Sequence, residues 1–185
     1  MSTLEVNSID KESGSTLTLG TSGTTVDIPS GATLDVTGAT VSGLTTGKVL
    51  QVVSGTTNSE ASNNTTTYAD TGLSLAITPS ATSSKVLVIV QQNGTGPDEG
   101  NSGNAISLKL LRDSTDLQEF ASNMGYTNTA LRMYIGTNGT VHLDSPSTTS
   151  EVTYKTQFKN RVAANNVYCQ LNSSVSSIVL MEIEG

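Results

Sequence analysis

The stretch 85-KVLVIVQ-91 decides how this chain folds. Its five consecutive apolar residues, Val86 to Val90, occupy both sides of an extended strand, which is typical of a central strand that is covered on both faces. The run is far too short to cross a membrane. We therefore expect a strand in the middle of a sheet, with both of its edges paired, and no membrane insertion.

Shorter apolar alternations lie on both sides of this stretch. They predict strands at 48–53, 66–78, 105–112, 116–121, 130–136, 139–143, 151–159, 166–172 and 177–184. The polar segments 54–64 and 93–104 are predicted as loops, and Asn138-Gly139 predicts a tight hairpin turn. Nine or ten short strands over 48–185 predict an all-β knob domain, a sandwich or a jelly roll.

The composition supports an all-β chain and limits its functions. Thr and Ser make up 54 of the 185 residues, and 17 are Gly, which favours strands and turns over helices. The net charge is −7 and Lys and Arg do not cluster, so nucleic-acid binding is not expected. The start Met1 to Glu5 lacks the pattern of a signal peptide, and Cys169 is the only cysteine, so we expect synthesis in a reducing cytoplasm.

Residues 1–47 differ from the rest and are predicted to form an anchoring stalk. Ser, Thr and Gly account for 25 of these 47 residues. Short apolar pairs recur at spacings of nine and eight residues: Leu17 and Leu19, Val26 and Ile28, Leu34 and Val36. Ordering one such repeat costs about 1–2 kcal/mol per residue, whereas each buried side chain returns only about 1.5–3 kcal/mol. The pairs therefore need partners, and three identical chains around one axis would supply them. A flexible linker is the alternative.

Both ends of the chain carry candidate contact residues. We expect Leu4, Val6 and Ile9 to anchor the stalk to a larger particle. The chain ends soon after its last strand, so Ile178, Leu180 and Ile183 are predicted to lie in the core or at a subunit interface.

No arrangement of residues points to an enzyme, and neither a cofactor nor a metal is expected. His142 and Asp144 share one face of a predicted strand, but no motif places a nucleophile beside them. Cys169 alternates with apolar residues and is predicted to lie in the core. The acidic groups at 98–99 and 113–119 are not paired in the way that glycosidases require, and we expect few exposed aromatic rings for sugars.

Two segments are candidates for contacting a receptor, because long loops on a β scaffold often do so. The first, 94–101, is rich in Gly and acidic residues, but its oxygen ligands lack the spacing of an EF-hand calcium loop. The second is 122–129. The exposed receptor-loop candidates in them are Asp98, Glu99, Asn101 and Tyr126.

Five stretches of the sequence resemble a known group of proteins. They are 2-STLEVNSID-10, 23-GTTVDIPSGATL-34, 47-GKVLQVV-53, 143-LDSPSTTSEVTYK-155 and 177-SIVLMEI-183. They are similar to virion structural and fibre-like proteins of marine phages, particularly phages of cyanobacteria. The resemblance implies a fibre, knob or decoration protein, typically a homotrimer, whose C-terminal domain faces outward from the virion.

The resulting hypothesis is a trimeric phage appendage that attaches to the tail, neck or capsid through residues 1–47. Residues 48–185 would face the host surface, where a polysaccharide or another receptor would be the partner. Two alternatives stay open: a capsid or tail decoration protein that binds no receptor, and a small carbohydrate-active enzyme.

Overall fold

The computed structural model describes residues 30–33, 47–99, 103–126, 128, 131–163 and 165–185. By internal contacts the chain divides into the units Met1–Thr45 and Thr46–Gly185, and the second is described here. The stalk and anchor predictions at Leu4, Val6, Ile9, Leu17, Leu19, Val26, Ile28, Leu34 and Val36 lie outside the described residues.

The described part of the second unit consists of β-strands, turns and one short 3-10 turn. The strands are β1 Val49–Thr57, β2 Ala61–Asn63, β3 Ala69–Ile77, β4 Lys85–Pro97, β5 Ile106–Arg112, β6 Thr115–Met124, β7 Gly136–Asp144, β8 Val152–Asn160, β9 Val167–Cys169 and β10 Ser176–Ile183. The 3-10 turn, Leu171–Ser173, lies between β9 and β10.

These strands form two antiparallel sheets, which confirms the predicted all-β sandwich. Sheet 1 has the order β1-β10-β4-β9-β2, with β7 on the other edge of β4, and sheet 2 has the order β3-β8-β5-β6. Strand β4 is central, as the stretch 85–91 predicts: β10 pairs with one edge and β7 with the other. The two faces of β4 are not equally buried, however. Val86, Val88 and Val90 are buried against sheet 2, whereas Leu87 and Ile89 on the opposite side are only half-buried.

The core between the sheets is divided by a layer of polar side chains. One apolar cluster is built around Val88, Tyr154 and Leu180, and the other around Leu108, Phe158 and Val167. Between them lie five fully buried polar residues: Thr71, Gln92, Thr156, Gln170 and Ser176.

Hydrogen bonds connect this polar layer across the sandwich. The hydroxyls of Thr71 and Thr156 are 2.6 Å apart, and Thr156 donates to the Gln92 amide oxygen at 2.9 Å. Gln92 in turn donates to Oγ of Ser176 at 3.1 Å. The amide of Gln170 completes the layer: with its nitrogen assigned towards the carbonyls of Ser59 and Thr71, its oxygen accepts from Oγ of Ser176. A satisfied buried network costs little, but any misplaced strand would leave it unsatisfied, so it specifies the register of the sheets.

The hairpin prediction at Asn138-Gly139 is wrong. Strand β7 runs straight through both residues, which pair with Gln92 and Gln91 of β4. Because β4 continues to Pro97, it offers β7 a long ladder of hydrogen bonds that outweighs the local turn preference. For the same reason 93–97 is strand rather than loop, and the predicted loop 54–64 contains the end of β1 and all of β2.

The predicted strand at 130–136 also fails over 131–135, which forms no regular strand; only Gly136 is in a strand, as the first residue of β7. The segment 131–135 lies along the end of β4 and makes two backbone hydrogen bonds to it: Met133 N–H donates to the Pro97 carbonyl at 3.2 Å, and Ile135 N–H to that of Thr95 at 3.0 Å.

The three residues of β10 that were predicted for the core or a subunit interface lie on two different sides of the sheet. Ile178 and Leu180 are buried at 1% and 0% exposure. Ile183 is half-buried and faces the other side of the sheet, because its position is odd where theirs are even. The inward position near the strand's end belongs to Glu182 instead, which is only 1% exposed.

Candidate interaction surfaces

The outer face, the side of sheet 1 directed away from sheet 2, carries apolar side chains in two rows across four strands. The strand register aligns Val52, Met181, Leu87 and Leu143 in the first row. The second row consists of Ser54, Val179, Ile89 and Val141. Seven of these eight residues are apolar, and none is charged.

Much of this face is open to solvent. Val52 is 55% exposed, Val141 63% and Leu143 53%. Neighbouring strands lie about 4.8 Å apart and alternate residues about 7 Å apart, so the four strands span about 14 Å. With Val49 and Ile183 at one end of the rows, the apolar patch covers about 400 Å², a size at which exposed patches on monomers are often functional.

Polar residues bound the patch at both ends. The next row towards the end of β4 contains Thr56, Ser177, Gln91 and Gly139. At the opposite end, Lys85 lies beside Ile183, and Lys48 forms an exposed ion pair with Glu184 at 3.7 Å. An apolar centre with a polar rim is the usual anatomy of a protein–protein interface.

The receptor-loop candidates occupy different environments. Glu99 and Tyr126 are exposed, and the Tyr126 ring lies 4.8 Å from the Arg161 guanidinium. Asn101 lies outside the described residues. Asp98 does not match its expected exposure, since its side chain is only 18% exposed.

The carboxylate of Asp98 is held by neighbouring side chains. Arg132 donates to it from Nε at 2.8 Å, and the Tyr168 hydroxyl donates at 3.1 Å. Partial burial favours the neutral acid, but these hydrogen bonds and that of the Glu99 N–H outweigh it and lower the pKa of Asp98. Asp98 therefore stays ionised and anchors Arg132.

An exposed aromatic ring that the sequence reasoning missed lies next to this anchor. Tyr134 is 63% exposed, and Tyr126 is 52% exposed. The expectation of few exposed rings is therefore wrong for this end of the sandwich. The apolar alternation around Met133 led to the prediction of a strand, and no pattern in the sequence marked Tyr134 as outward.

The acidic residues that were considered for an enzyme make hydrogen bonds and ion pairs with other side chains. Asp144 does share a face with His142, but its carboxylate accepts hydrogen bonds from Tyr154 at 2.7 Å and Arg112 at 2.6 Å. Asp116 pairs with Lys109 at 2.7 Å, and Glu119 accepts from the Tyr68 hydroxyl at 2.8 Å.

The cysteine lies in the core, and the acidic residues of the described ranges are dispersed. Cys169 is fully buried, and burial raises the pKa of its thiol, so it packs as a small apolar side chain. Within those ranges no three His, Cys, Asp or Glu side chains are grouped to hold a metal ion. They also contain no helix long and apolar enough to span a bilayer.

Comparisons with known proteins show likeness to solved structures, but to no family model or curated protein. Among solved structures, the VP2 subviral particle of infectious bursal disease virus is similar, with 14% identity and a TM-score of 0.39. The match covers 74% of this chain and 34% of the VP2 chain, so this chain spans about a third of the length of that protein.

Proposed function

We propose that this protein is a self-associating structural component of a phage virion, a homotrimer whose knob domain packs through its outer face. The observation that carries the proposal is the uncharged apolar patch that crosses four strands of sheet 1. A second copy of the same chain is its occupant, because the patch has the apolar centre and the polar rim of an interface.

The N-terminal segment is proposed to add contacts between the three copies. Gly47 precedes β1, and the exposed Val49, which pairs with Ile183, extends the patch at that end. Copies that pack through their outer faces would therefore bring their Gly47 ends close together. Residues 1–46 would then meet two sister segments, which is what their sparse apolar pairs need.

A comparison of free energies supports a contribution from both the outer face and the N-terminal segment. At about 25 cal/mol per Å², burial of a patch of about 400 Å² contributes about 10 kcal/mol per chain. Association costs about 4–15 kcal/mol. The outer face alone therefore gives a marginal assembly, and the N-terminal segments add the remaining stabilisation.

Light scattering coupled to size-exclusion chromatography tests the trimer. The full chain is expected to elute with three times the mass of one chain. The double substitution Val141→Asp and Leu143→Asp, which places two charges in the patch, is expected to give monomers with an unchanged circular dichroism spectrum. Leu131→Asp is the matched control, since Leu131 is equally exposed but lies outside the outer face. A monomeric wild-type chain at micromolar concentration would contradict the proposal.

Immunogold labelling of intact particles tests the place in the virion. Labels at the tip of a tail or neck appendage would support the fibre and knob function. Labels distributed evenly over the capsid would instead support a decoration protein without receptor binding. Unlabelled particles would contradict a virion protein of either kind.

A further inference from the structure

A groove with a mixed polar and apolar lining lies beyond the polar end of the outer face, next to the exposed Tyr134. Its volume is about 360 Å³, at the lower end of the range of small-molecule sites. Hydroxyl and amide side chains line it, chiefly Gln91, Asn93, Thr137, Asn172 and Ser174, together with the Tyr134 ring and the apolar Leu171. No charged side chain of the described residues lines it.

Two glycines of β4 bring the walls of the groove together. Gly94 has a φ of +59°, and a Cβ there would lie 2.5 Å from the Leu171 backbone nitrogen. A Cβ on Gly96 would lie 2.0 Å from the Met133 carbonyl oxygen. The 3-10 turn and the segment 131–135 can therefore approach the strand only because both positions are glycine. This close approach fixes the two walls by backbone contacts rather than by mobile side chains.

Tyr134 is held in place while much of its ring stays open. Nη1 of Arg132 donates to the Tyr134 hydroxyl at 3.3 Å, and Arg132 is itself bound by Asp98. This chain of contacts restricts the ring before any ligand arrives, which reduces the entropy lost on binding. The result is an exposed aromatic surface with a defined orientation at the edge of the groove.

The amides of the groove divide into fixed and available groups. Asn93 donates to the Val175 carbonyl at 2.6 Å and accepts from the Thr137 hydroxyl at 2.6 Å, so it is a rigid part of the wall. The side-chain amides of Gln91 and Asn172 make no hydrogen bond to another described residue. Each offers a donor and an acceptor to a ligand.

This combination matches an uncharged sugar. A sugar ring has C–H groups that pack on the face of an aromatic ring, whose negative charge density attracts them. Its hydroxyls both donate and accept, as the amides do. Anionic sugars and phosphates fit poorly, because the lining has no Lys or Arg and the chain carries a net charge of −7.

We propose that this groove binds a short uncharged segment of a surface polysaccharide, with Tyr134 as the stacking residue and Gln91 and Asn172 as hydrogen-bonding residues. This site would give the proposed phage appendage its ligand, so its biological role rests on the function proposed above. One shallow groove binds weakly, and three on a trimer would act together through their high effective concentration.

An array of neutral and acidic glycans, followed by titration of the best neutral oligosaccharide into isotope-labelled protein, tests the proposal. The expected result is binding to at least one neutral glycan, with signals of Gln91, Asn172 and the Tyr134 ring shifted. Tyr134→Ala is expected to weaken binding about tenfold or more. Tyr134→Phe keeps the ring and is expected to lose less of the binding affinity.

Two controls separate this site from folding and from assembly. Tyr126→Ala removes an equally exposed ring that does not line the groove, and is expected to bind as wild type does. The Val141→Asp and Leu143→Asp variant should still bind the free oligosaccharide, because one chain contains the whole groove. Three outcomes would contradict the glycan site: no binding to any neutral glycan, binding to acidic glycans alone, or undiminished binding by Tyr134→Ala. None of them would contradict the proposed trimer.

Discussion

The hydroxyl of Tyr154 in sheet 2 donates a hydrogen bond of 2.7 Å to Oδ2 of Asp144 in sheet 1. Arg112 of sheet 2 donates to the same oxygen at 2.6 Å. Tyr154 is fully buried and Asp144 is only 8% exposed, so this polar bridge crosses the interior of the sandwich. Burial, the hydrogen bond to Asp144 and the charge of Asp144 raise the pKa of Tyr154, which keeps its hydroxyl a donor.

Tyr154→Phe is expected to destabilise the knob by about 1–3 kcal/mol, because it leaves a buried carboxylate oxygen with one donor fewer. Urea unfolding of the purified protein measures the change. Tyr134→Phe is the matched control, since its hydroxyl lies at the surface, and should change the free energy of unfolding by less than about 0.5 kcal/mol. Equal effects of the two substitutions would show that the bridge does not stabilise the sandwich.

Thr156→Val tests the polar layer of the core. The substitution removes the hydroxyl between Thr71 and Gln92, so both lose a buried partner, and a loss of about 1–3 kcal/mol is expected. The double variant Thr156→Val and Thr71→Val should lose less unfolding free energy than the two single variants together, because the second change removes the Thr71 hydroxyl that the first one left without its partner. Thr153→Val, on the opposite side of the same strand, is the control. Additive effects in the double variant would contradict coupling through the network.

Glu182→Gln tests the ionised carboxylate near the end of β10. Burial favours the neutral acid, but hydrogen bonds from the Ser80 hydroxyl and N–H and from Gln51 outweigh it and lower the pKa of Glu182 to about 2. Because the pKa is lower in the folded state than in the unfolded one, the stabilisation is present above about pH 4.5 and is lost as the pH falls towards 2.

The expected loss in the Glu182→Gln variant at pH 7 is about 1.5–3 kcal/mol. The difference in unfolding free energy between wild type and variant should shrink between pH 5 and pH 2. Glu184→Gln, at an exposed ion pair, should show little difference at either pH. A gap between wild type and Glu182→Gln that stays constant over this range would contradict the lowered pKa.

Gly96→Ala is expected to displace the segment 131–135 from β4. The new methyl group would overlap the Met133 carbonyl oxygen, so the segment must move, at a cost of about 1–3 kcal/mol. Faster amide hydrogen exchange at Met133 and Ile135 would report the displacement, because their N–H groups donate to β4. Gly47→Ala is the control, since its nearest contact is an ordinary 3.4 Å. Unchanged exchange at both amides would contradict the close approach.

Local pattern alone was enough to predict the strands with strong apolar alternation. The stretch 85–91 predicted a central strand, and the alternation at 151–159 predicted β8, because a two-residue period depends only on which side chains avoid water. The core position of Cys169 followed from the same period, since it alternates with Val167 and Leu171. The sequence also excluded an intrachain disulfide, since a single cysteine has no partner.

Only the tertiary structure decided which local preferences prevailed. Asn138-Gly139 has the composition of a turn, but its pairing with the unexpectedly long β4 made it part of a strand. Alternation alone places Glu182 on the inner side with Ile178 and Leu180, but only the tertiary structure supplied Ser80 and Gln51 as the hydrogen-bond donors that hold its carboxylate there. The apolar rows of the outer face and the groove beside Tyr134 join residues from strands far apart in the chain, so no local pattern could reveal them. They arise from the alignment of the strands, which is set by packing and hydrogen bonding between distant segments.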